Sequence, residues 1–298
     1  MFEVIVVEKR QEAEGICCFE LRREDGQSLP GFTAGAHIDV QVSTTITRQY
    51  SLCNSPLERD RYLIAVLHEP LSRGGSRGMH EAVGVGDRLW ISTPKNHFPL
   101  TACAGKSVLL GGGIGITPVL AMAFQLAHEG AEFELHYCVR EPRRAAFLQQ
   151  MAASGFADSV HLHFDSGEQD QRLDVNHVLA APDADTHLYV CGPKGFMDHV
   201  INAAHRLGWP TGQIHREYFA APVVAHDVDH AFEVELADRQ TRHVVRWAAR
   251  LLTFRVIEVT GLNAFSIHVS KKALNQCCSK DGRDFPTWPS AIPTFKQG

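Results

Sequence analysis

Hydrophobic residues in the first hundred positions arrive in short bursts, with polar and turn residues between them. Segments 2–7, 16–21, 37–42, 45–52, 62–68 and 88–91 are apolar or alternate apolar with polar, the period of a strand. Turn residues such as Asp25-Gly26 and Gly84-Val85-Gly86-Asp87 separate them, and the one helix-like piece spans 78–82. Six strands at this spacing predict a small antiparallel barrel over residues 1–104. From Ser107 the rhythm changes to alternation of strand and helix. Strands are expected at 107–110, 132–140, 160–165, 187–191 and 214–219, and helices at 119–127, 143–153, 175–180 and 196–207. This βα alternation predicts a parallel sheet over residues 105–225, with ligands at the carboxyl ends of its strands.

The junction of the first strand and helix reads Leu110-Gly111-Gly112-Gly113-Ile114-Gly115-Ile116-Thr117-Pro118. Its glycines let the backbone turn sharply and approach a ligand, Thr117 can cap the helix, and Pro118 suits the first turn. Free N–H groups and the helix dipole then converge on one spot, an anion site that fits a pyrophosphate. The motif departs from G-x-G-x-x-G because Ile116 stands where the last glycine would fall, and no Gly-Lys-Ser/Thr follows to make a Walker loop. A second turn, Cys191-Gly192-Pro193, ends a later strand in the same manner. The segment 107–127 carries no formal charge, but three consecutive glycines and an internal Thr-Pro divide it into two short elements and exclude a membrane span.

Two barrel segments carry chemistry. In Arg48-Gln49-Tyr50-Ser51 the arginine and tyrosine share one strand face. The loop Ser72-Arg73-Gly74-Gly75-Ser76-Arg77-Gly78 combines backbone freedom, hydroxyls and guanidiniums, a combination that wraps phosphate; it also suits a solvated hairpin tip.

Composition narrows the function. The chain has 298 residues, 44% hydrophobic, with a net charge of −5, which gives no reason to expect nucleic acid as partner. Glu3, Glu8, Lys9 and Arg10 leave no room for a signal peptide, and eight cysteines without C-x-x-C spacing read as cytosolic thiols. A cytoplasmic protein with no membrane partner is expected. His161 and His163 share a strand face, but no third ligand has suitable spacing, so no metal site is expected.

Arg48-Gln49-Tyr50-Ser51, Arg73-Gly74-Gly75-Ser76, the 111–118 turn, Cys191-Gly192-Pro193-Lys194-Gly195-Phe196-Met197 and Glu217-Tyr218-Phe219-Ala220 occur in this order. Together they resemble the ferredoxin-NADP reductase superfamily, in its phthalate dioxygenase reductase and vanillate O-demethylase reductase branch, across residues 2–222. The resemblance implies a flavin-binding barrel followed by a nicotinamide-binding domain, passing electrons from NADH to a Rieske-type oxygenase. It assigns Arg48 and residues Arg73, Gly74, Gly75 and Ser76 to the flavin phosphate, Gln49 to the cofactor site, Tyr50 to the isoalloxazine, and Ser51 to the flavin N5 region. Gly112, Gly113, Gly115, Thr117 and Pro118 fall to the nucleotide, Cys191, Gly192 and Pro193 to the meeting of nicotinamide and flavin, and Phe219 to the other flavin face. Ser51, Thr117, Cys191 and Phe219 are the expected catalytic set.

The branch uses FMN, and no segment for the adenine half of FAD is evident. Arg140 and Asp165, at the ends of their strands, are expected to meet the nicotinamide nucleotide. NADPH stays open beside NADH, because Glu141 lies among Arg140, Arg143 and Arg144 and acids suit a free ribose while arginines suit its phosphate.

Relatives of this branch end in a plant-type ferredoxin domain, and Phe232-Glu233-Val234-Glu235-Leu236 looks like its first strand. Beyond about Gln240 the resemblance fades. After residue 230 only Cys277-Cys278 remains, so the four thiolates of a 2Fe–2S cluster are missing. The same stretch turns basic, with ten Lys/Arg against six Asp/Glu from Ala231 onward. Residues 226–298 are therefore expected to form an irregular tail, a remnant of that domain or the product of a shifted reading frame. The electron acceptor is then a terminal oxygenase or a separate ferredoxin; a non-catalytic nucleotide-binding or assembly module is the alternative from another class.

Overall fold

The computed structural model describes residues 1–102, 104–180 and 182–219, together with the backbone of 231–236 and 241–246. Cys103, Cys277, Cys278 and the rest of the expected tail 226–298, apart from 231–236 and 241–246, lie outside the described residues. The chain divides into two units, Met1–Ala221 and Pro222–Gly298.

In the first unit, β1 (Phe2–Ala13), β2 (Ile16–Arg22), β3 (Ala36–Ser43), β4 (Ile46–Ser51), β5 (Tyr62–Leu67) and β6 (Arg88–Ile91) form one antiparallel sheet in the order β4-β3-β6-β1-β2-β5. A bridge between Leu52 and Ile64 joins its two ends into the expected barrel, and a two-residue strand, β7 (Lys95–Asn96), adds to β3. Strand β1 runs well past the apolar stretch 2–7. Its polar half is held by pairing with β2 and by Arg10, which reaches Glu8 at 3.0 Å and Glu12 at 2.8 Å. The short helix α1 (Gly75–Glu81) starts earlier than 78.

The barrel interior is filled by Val4, Val6, Phe19, Leu21, Ile38, Val40, Leu52, Ile64 and their neighbours. The alternate residues of β2 and β5, including Ile16, Cys18, Leu63 and Ala65, are buried in a second cluster shared with the parallel sheet and its first helix. These two strands are thus covered on both faces, which is why they read as unbroken apolar runs.

The parallel sheet contains β8 (Lys106–Gly112), β9 (Glu132–Val139), β10 (Val160–Phe164), β11 (Thr186–Cys191) and β12 (Ile214–Glu217) in the order β10-β9-β8-β11-β12. Between them run α2 (Ile116–Glu129), α3 (Leu148–Ala152), α4 (Val175–Val178) and α5 (Lys194–Arg206). Residues 116–123 of α2 are all buried, since barrel strands cover one side and β8, β9 and β11 the other. The uncharged 107–127 segment is a core strand and a core helix.

Two local expectations are corrected. The helix expected over 143–153 is a 3-10 turn at Pro142–Arg144, an extended Ala145 and only then α3. Tertiary hydrogen bonds break it: Ala146 N–H donates to Tyr137 Oη at 3.0 Å, and Phe147 N–H to Glu12 Oε1 at 3.0 Å, with Phe147 at φ 61°. Thr117 does not cap α2. A 3-10 turn at Gly113–Gly115 precedes the helix, the cap is Gly115, and the Thr117 hydroxyl donates to Ile114 O at 3.0 Å.

In the second unit, β13 (Ala231–Leu236) pairs antiparallel with β14 (Thr241–Arg246), placing Phe232 opposite Val245. A strand at 232–236 is present as expected; its partner falls where the sequence pattern had lost recognisable form.

Candidate functional site

The carboxyl ends of β8 and β11 lie side by side, with Gly111 opposite Cys191. The turns that follow are packed backbone to backbone. A Cβ on Gly115 would stand 2.2 Å from the Cys191 carbonyl oxygen and 2.4 Å from its carbon, and one on Gly112 would stand 2.7 Å from the Phe196 ring. Gly113 differs: at φ 54° it faces open space, with nothing within 4 Å of its Cβ position. The glycine cluster therefore does two jobs. Gly112 and Gly115 let the first turn dock on Gly192 and Phe196, while Gly113 alone leaves backbone open to a ligand. Pro118 and Thr117 are buried within the first turn of α2, and Pro193 caps α5.

A second focus joins barrel to sheet. Ser51, the last residue of β4, donates from Oγ to Glu217 Oε2 at 3.3 Å, at the end of β12. Glu217 pairs in register with Cys191, so serine, carboxyl and thiol converge although they are distant in the chain. Burial pushes the Glu217 carboxyl up to about 7, against the downward pull of the Ser51 hydrogen bond. Burial and the nearby Glu217 raise the Cys191 thiol well above its ordinary value. That thiol is no nucleophile at neutral pH. Glu217 was not among the expected site residues. Its signal was its place two residues before Phe219 at the close of the last strand.

On the barrel side, Arg48 lies across the 73–76 loop. Its Nη2 donates to Arg73 O at 3.4 Å and its Nη1 to Thr47 O at 2.8 Å. A Cβ on Gly75 would stand 2.6 Å from Arg48 Cγ, so only glycine lets the guanidinium stem pass. Ser76 Oγ accepts from Glu69 N–H at 3.2 Å and keeps its own proton for another acceptor. Gly74 supplies the left-handed turn before α1, at φ 92°. Gln49 is engaged within the barrel, donating to Asp39 Oδ1 at 3.1 Å.

Whether these residues suit a flavin can be tested on the polar atoms they leave unmet. The Tyr50 hydroxyl is buried with no hydrogen-bond partner among the described residues, and burial raises it to about 12, so it stays protonated. A buried hydroxyl without a partner is rare and marks a place where a ligand atom is due. Tyr218 and Phe219, two aromatics that normally seek cover, stand 45% and 46% exposed just past β12. An orphan hydroxyl, an arginine-glycine cradle and uncovered aromatics fit a flavin nucleotide.

Arg140 and Asp165 sit together past the ends of β9 and β10, where Asp165 N–H donates to Val139 O at 3.1 Å and Ser166 N–H to Arg140 O at 2.9 Å. Arg143 and Arg144 are drawn away from this position. Both pair with Glu14 of the barrel at 3.0 Å, and Arg143 also pairs with Glu141.

The family model described as "Oxidoreductase NAD-binding domain" matches residues 109–202, the segment holding both glycine turns. The chain is 51% identical over 262 residues to a vanillate O-demethylase oxidoreductase of Pseudomonas putida, covering 88% of this chain and 82% of the relative. It is 40% identical over 232 residues to the phthalate 4,5-dioxygenase oxygenase reductase subunit of Pseudomonas putida, covering 78% of this chain and 71% of the relative. Among solved structures, phthalate dioxygenase reductase, described as a modular structure for electron transfer from pyridine nucleotides to [2Fe-2S], superposes with a TM-score of 0.70 at 36% identity, over 82% of this chain and 76% of that one. A match of 262 residues in a chain of 298 runs past residue 260, so the likeness does not stop near Gln240. No helix among the described residues is long and apolar enough to cross a membrane. Identity over most of both chains, with the same barrel and sheet, places this chain in the vanillate O-demethylase and phthalate dioxygenase reductase family, as an NAD(P)H-dependent flavoprotein oxidoreductase that serves as the reductase component of an oxygenase system.

Proposed function

We propose that the chain binds FMN in the barrel and NADH on the sheet, and that it feeds a Rieske-type aromatic oxygenase or demethylase in the cytoplasm. The carrying observation is the Ser51–Glu217 contact beside Cys191, together with the unpartnered hydroxyl of Tyr50, one residue earlier on β4. A flavin held by these residues would supply the conversion between two-electron and one-electron transfer. The chain's own residues bind, orient and exclude water. Arg48, Arg73 and the Gly74-Gly75-Ser76 backbone hold the phosphate with charge-assisted hydrogen bonds. Tyr50 and Phe219 offer apolar faces to the ring system, and the Ser51 hydroxyl, held by its hydrogen bond to Glu217, offers a polar group at the ring edge. Gly113 leaves the pyrophosphate access to backbone N–H groups, and Thr117, Cys191, Gly192 and Pro193 border the place of hydride transfer. The acceptor is the oxygenase itself or a separate ferredoxin.

A visible spectrum tests this reading. Purified protein is expected to be yellow and to bleach on anaerobic addition of NADH; colourless protein indifferent to nucleotide would point to a non-catalytic module. The flavin released on denaturation is expected to be FMN by mass. Arg48→Ala is expected to weaken flavin binding about 10- to 100-fold, the loss of one charge-assisted hydrogen-bonding group. Unchanged flavin affinity by fluorescence titration would remove the arginine from the phosphate site.

Preference for NADH follows from the ion pairs of Arg143 and Arg144 with Glu14, which keep both cations from a ribose phosphate. Glu14→Ala frees Arg144 and leaves Arg143 with Glu141 alone. The kcat/KM ratio of NADPH to NADH is then expected to rise a few-fold, the scale of exposed ion pairs. An unchanged ratio would show that these arginines do not set the choice.

A further inference from the structure

Strand pairing supplies what residue spacing could not: partners for His161 and His163. Strands β9 and β10 run parallel with His136 opposite His161 and Cys138 opposite His163. Side chains two residues apart share a face, so Glu134, His136, Cys138, His161 and His163 lie on one side of the sheet, and of these Glu134, His136 and His161 bring their ligand atoms together. The His136 and His161 rings stack with centroids 4.8 Å apart, and those of His136 and His163 with centroids 5.3 Å apart. His136 is buried at 5% exposure, and His161 is open to solvent.

We propose that Glu134, His136 and His161 form a binding site for a borderline divalent transition-metal ion, with zinc the ion it suits best. One ligand atom from each residue already lies within 4.8 Å of the others. A tetrahedral zinc site with bonds of about 2.0–2.2 Å has ligand-to-ligand edges of about 3.3–3.6 Å. Glu134 Oε2 and His136 Nε2 are 3.3 Å apart, the length of such an edge. His161, exposed on the edge strand, closes the remaining gap by a side-chain rotation. The fourth position opens to water.

The second shell is also in place. His136 Nδ1 lies 3.0 Å from His163 Nε2, so an Nδ1–H donated to His163 fixes the tautomer that presents Nε2 to the metal. Lys106 Nζ holds the other Glu134 oxygen, Oε1, at 2.7 Å, which orients the carboxylate and leaves Oε2 available. Imidazole and carboxylate donors without thiolate select zinc and its neighbours in the first row over magnesium or calcium. A metal here would staple β10, which has a neighbour on one side only, to β9. It would thereby stiffen the strand that leads into Asp165.

Without a metal, the same atoms form a hydrogen-bonded chain from His163 through His136 to Glu134. Calorimetric titration of the purified full chain with zinc chloride separates the two. Wild type is expected to bind one zinc ion that is lost, or weakened at least tenfold, in both His161→Ala and Glu134→Gln. Zinc-edge X-ray absorption of that wild-type complex is expected to show nitrogen and oxygen ligands, which distinguishes this site from binding at Cys277-Cys278. Amide exchange across 160–164 is expected to slow on zinc addition to wild type but not to His161→Ala. His161 is exposed, so its variant keeps the fold, and a wild-type-like melting curve checks this. Unchanged zinc affinity in both variants, or a sulfur-dominated absorption spectrum, would overturn the site.

Discussion

Gly115→Ala is expected to destabilise the first unit by at least about 3 kcal/mol, the upper range for overpacking a closed site. The backbone dihedral is not the reason. Gly115 sits at φ −63°, ordinary helical geometry that alanine adopts freely. The obstacle is the Cys191 carbonyl, whose oxygen and carbon lie 2.2 and 2.4 Å from the added methyl. These are backbone atoms of a buried strand, so no side-chain rotation relieves the clash and the two turns must separate. Gly113→Ala is the matched control. It meets nothing within 4 Å but requires φ 54°, so it is expected to cost about 1 kcal/mol while obstructing the nucleotide. Urea unfolding and nucleotide titration read both effects. Gly115→Ala with wild-type stability would refute the packed-turn reading, and Gly113→Ala with wild-type nucleotide affinity would remove that backbone from the pyrophosphate site.

Glu217→Gln is expected to flatten the dependence of stability on pH between about 4.5 and 7. Burial raises the folded-state carboxyl to about 7 from its ordinary value near 4.5. In that window the unfolded chain has released the proton and the folded chain retains it. Stability is therefore full below the unfolded value and falls as pH rises through 7, by up to about 3 kcal/mol at 1.36 kcal/mol per unit. Glutamine cannot ionise and keeps an oxygen for the Ser51 hydroxyl, so the variant is expected to be the more stable protein at pH 8. The same exchange is expected to remove an inflection near pH 7 from the rate of flavin reduction by NADH. Ser51→Ala, which removes the hydroxyl beside Glu217, is expected to lower that rate about 10-fold, the scale of one lost hydrogen bond. Melting curves across pH and stopped-flow reduction decide both. A Glu217→Gln protein with the wild-type slope would show that the carboxyl ionises as it does in water.

Much of this protein was legible in its residues. The barrel strands, the βα rhythm, the glycine turns after β8 and β11, and five motifs in order are local patterns, and local sterics and side-chain period impose them wherever the chain goes. They were enough to indicate the family and the flavin and nucleotide halves. The uncharged segment 107–127 divided into a strand and a helix, but that residues 116–123 are buried on every side became clear only when barrel and sheet were seen sharing one cluster.

What the tertiary structure alone decided are the meetings of distant segments. Ser51 finds Glu217, Gly115 rests on Cys191, and Glu14 claims Arg143 and Arg144. Tyr137 and Glu12 capture the amides that would have continued a helix through Phe147. His161 gains His136 because parallel register sets them level. Strand period fixes which face a side chain takes, but register fixes who stands beside it, and register follows from how whole strands bury their apolar faces. That is a property of the packed sheet and not of any single stretch of sequence.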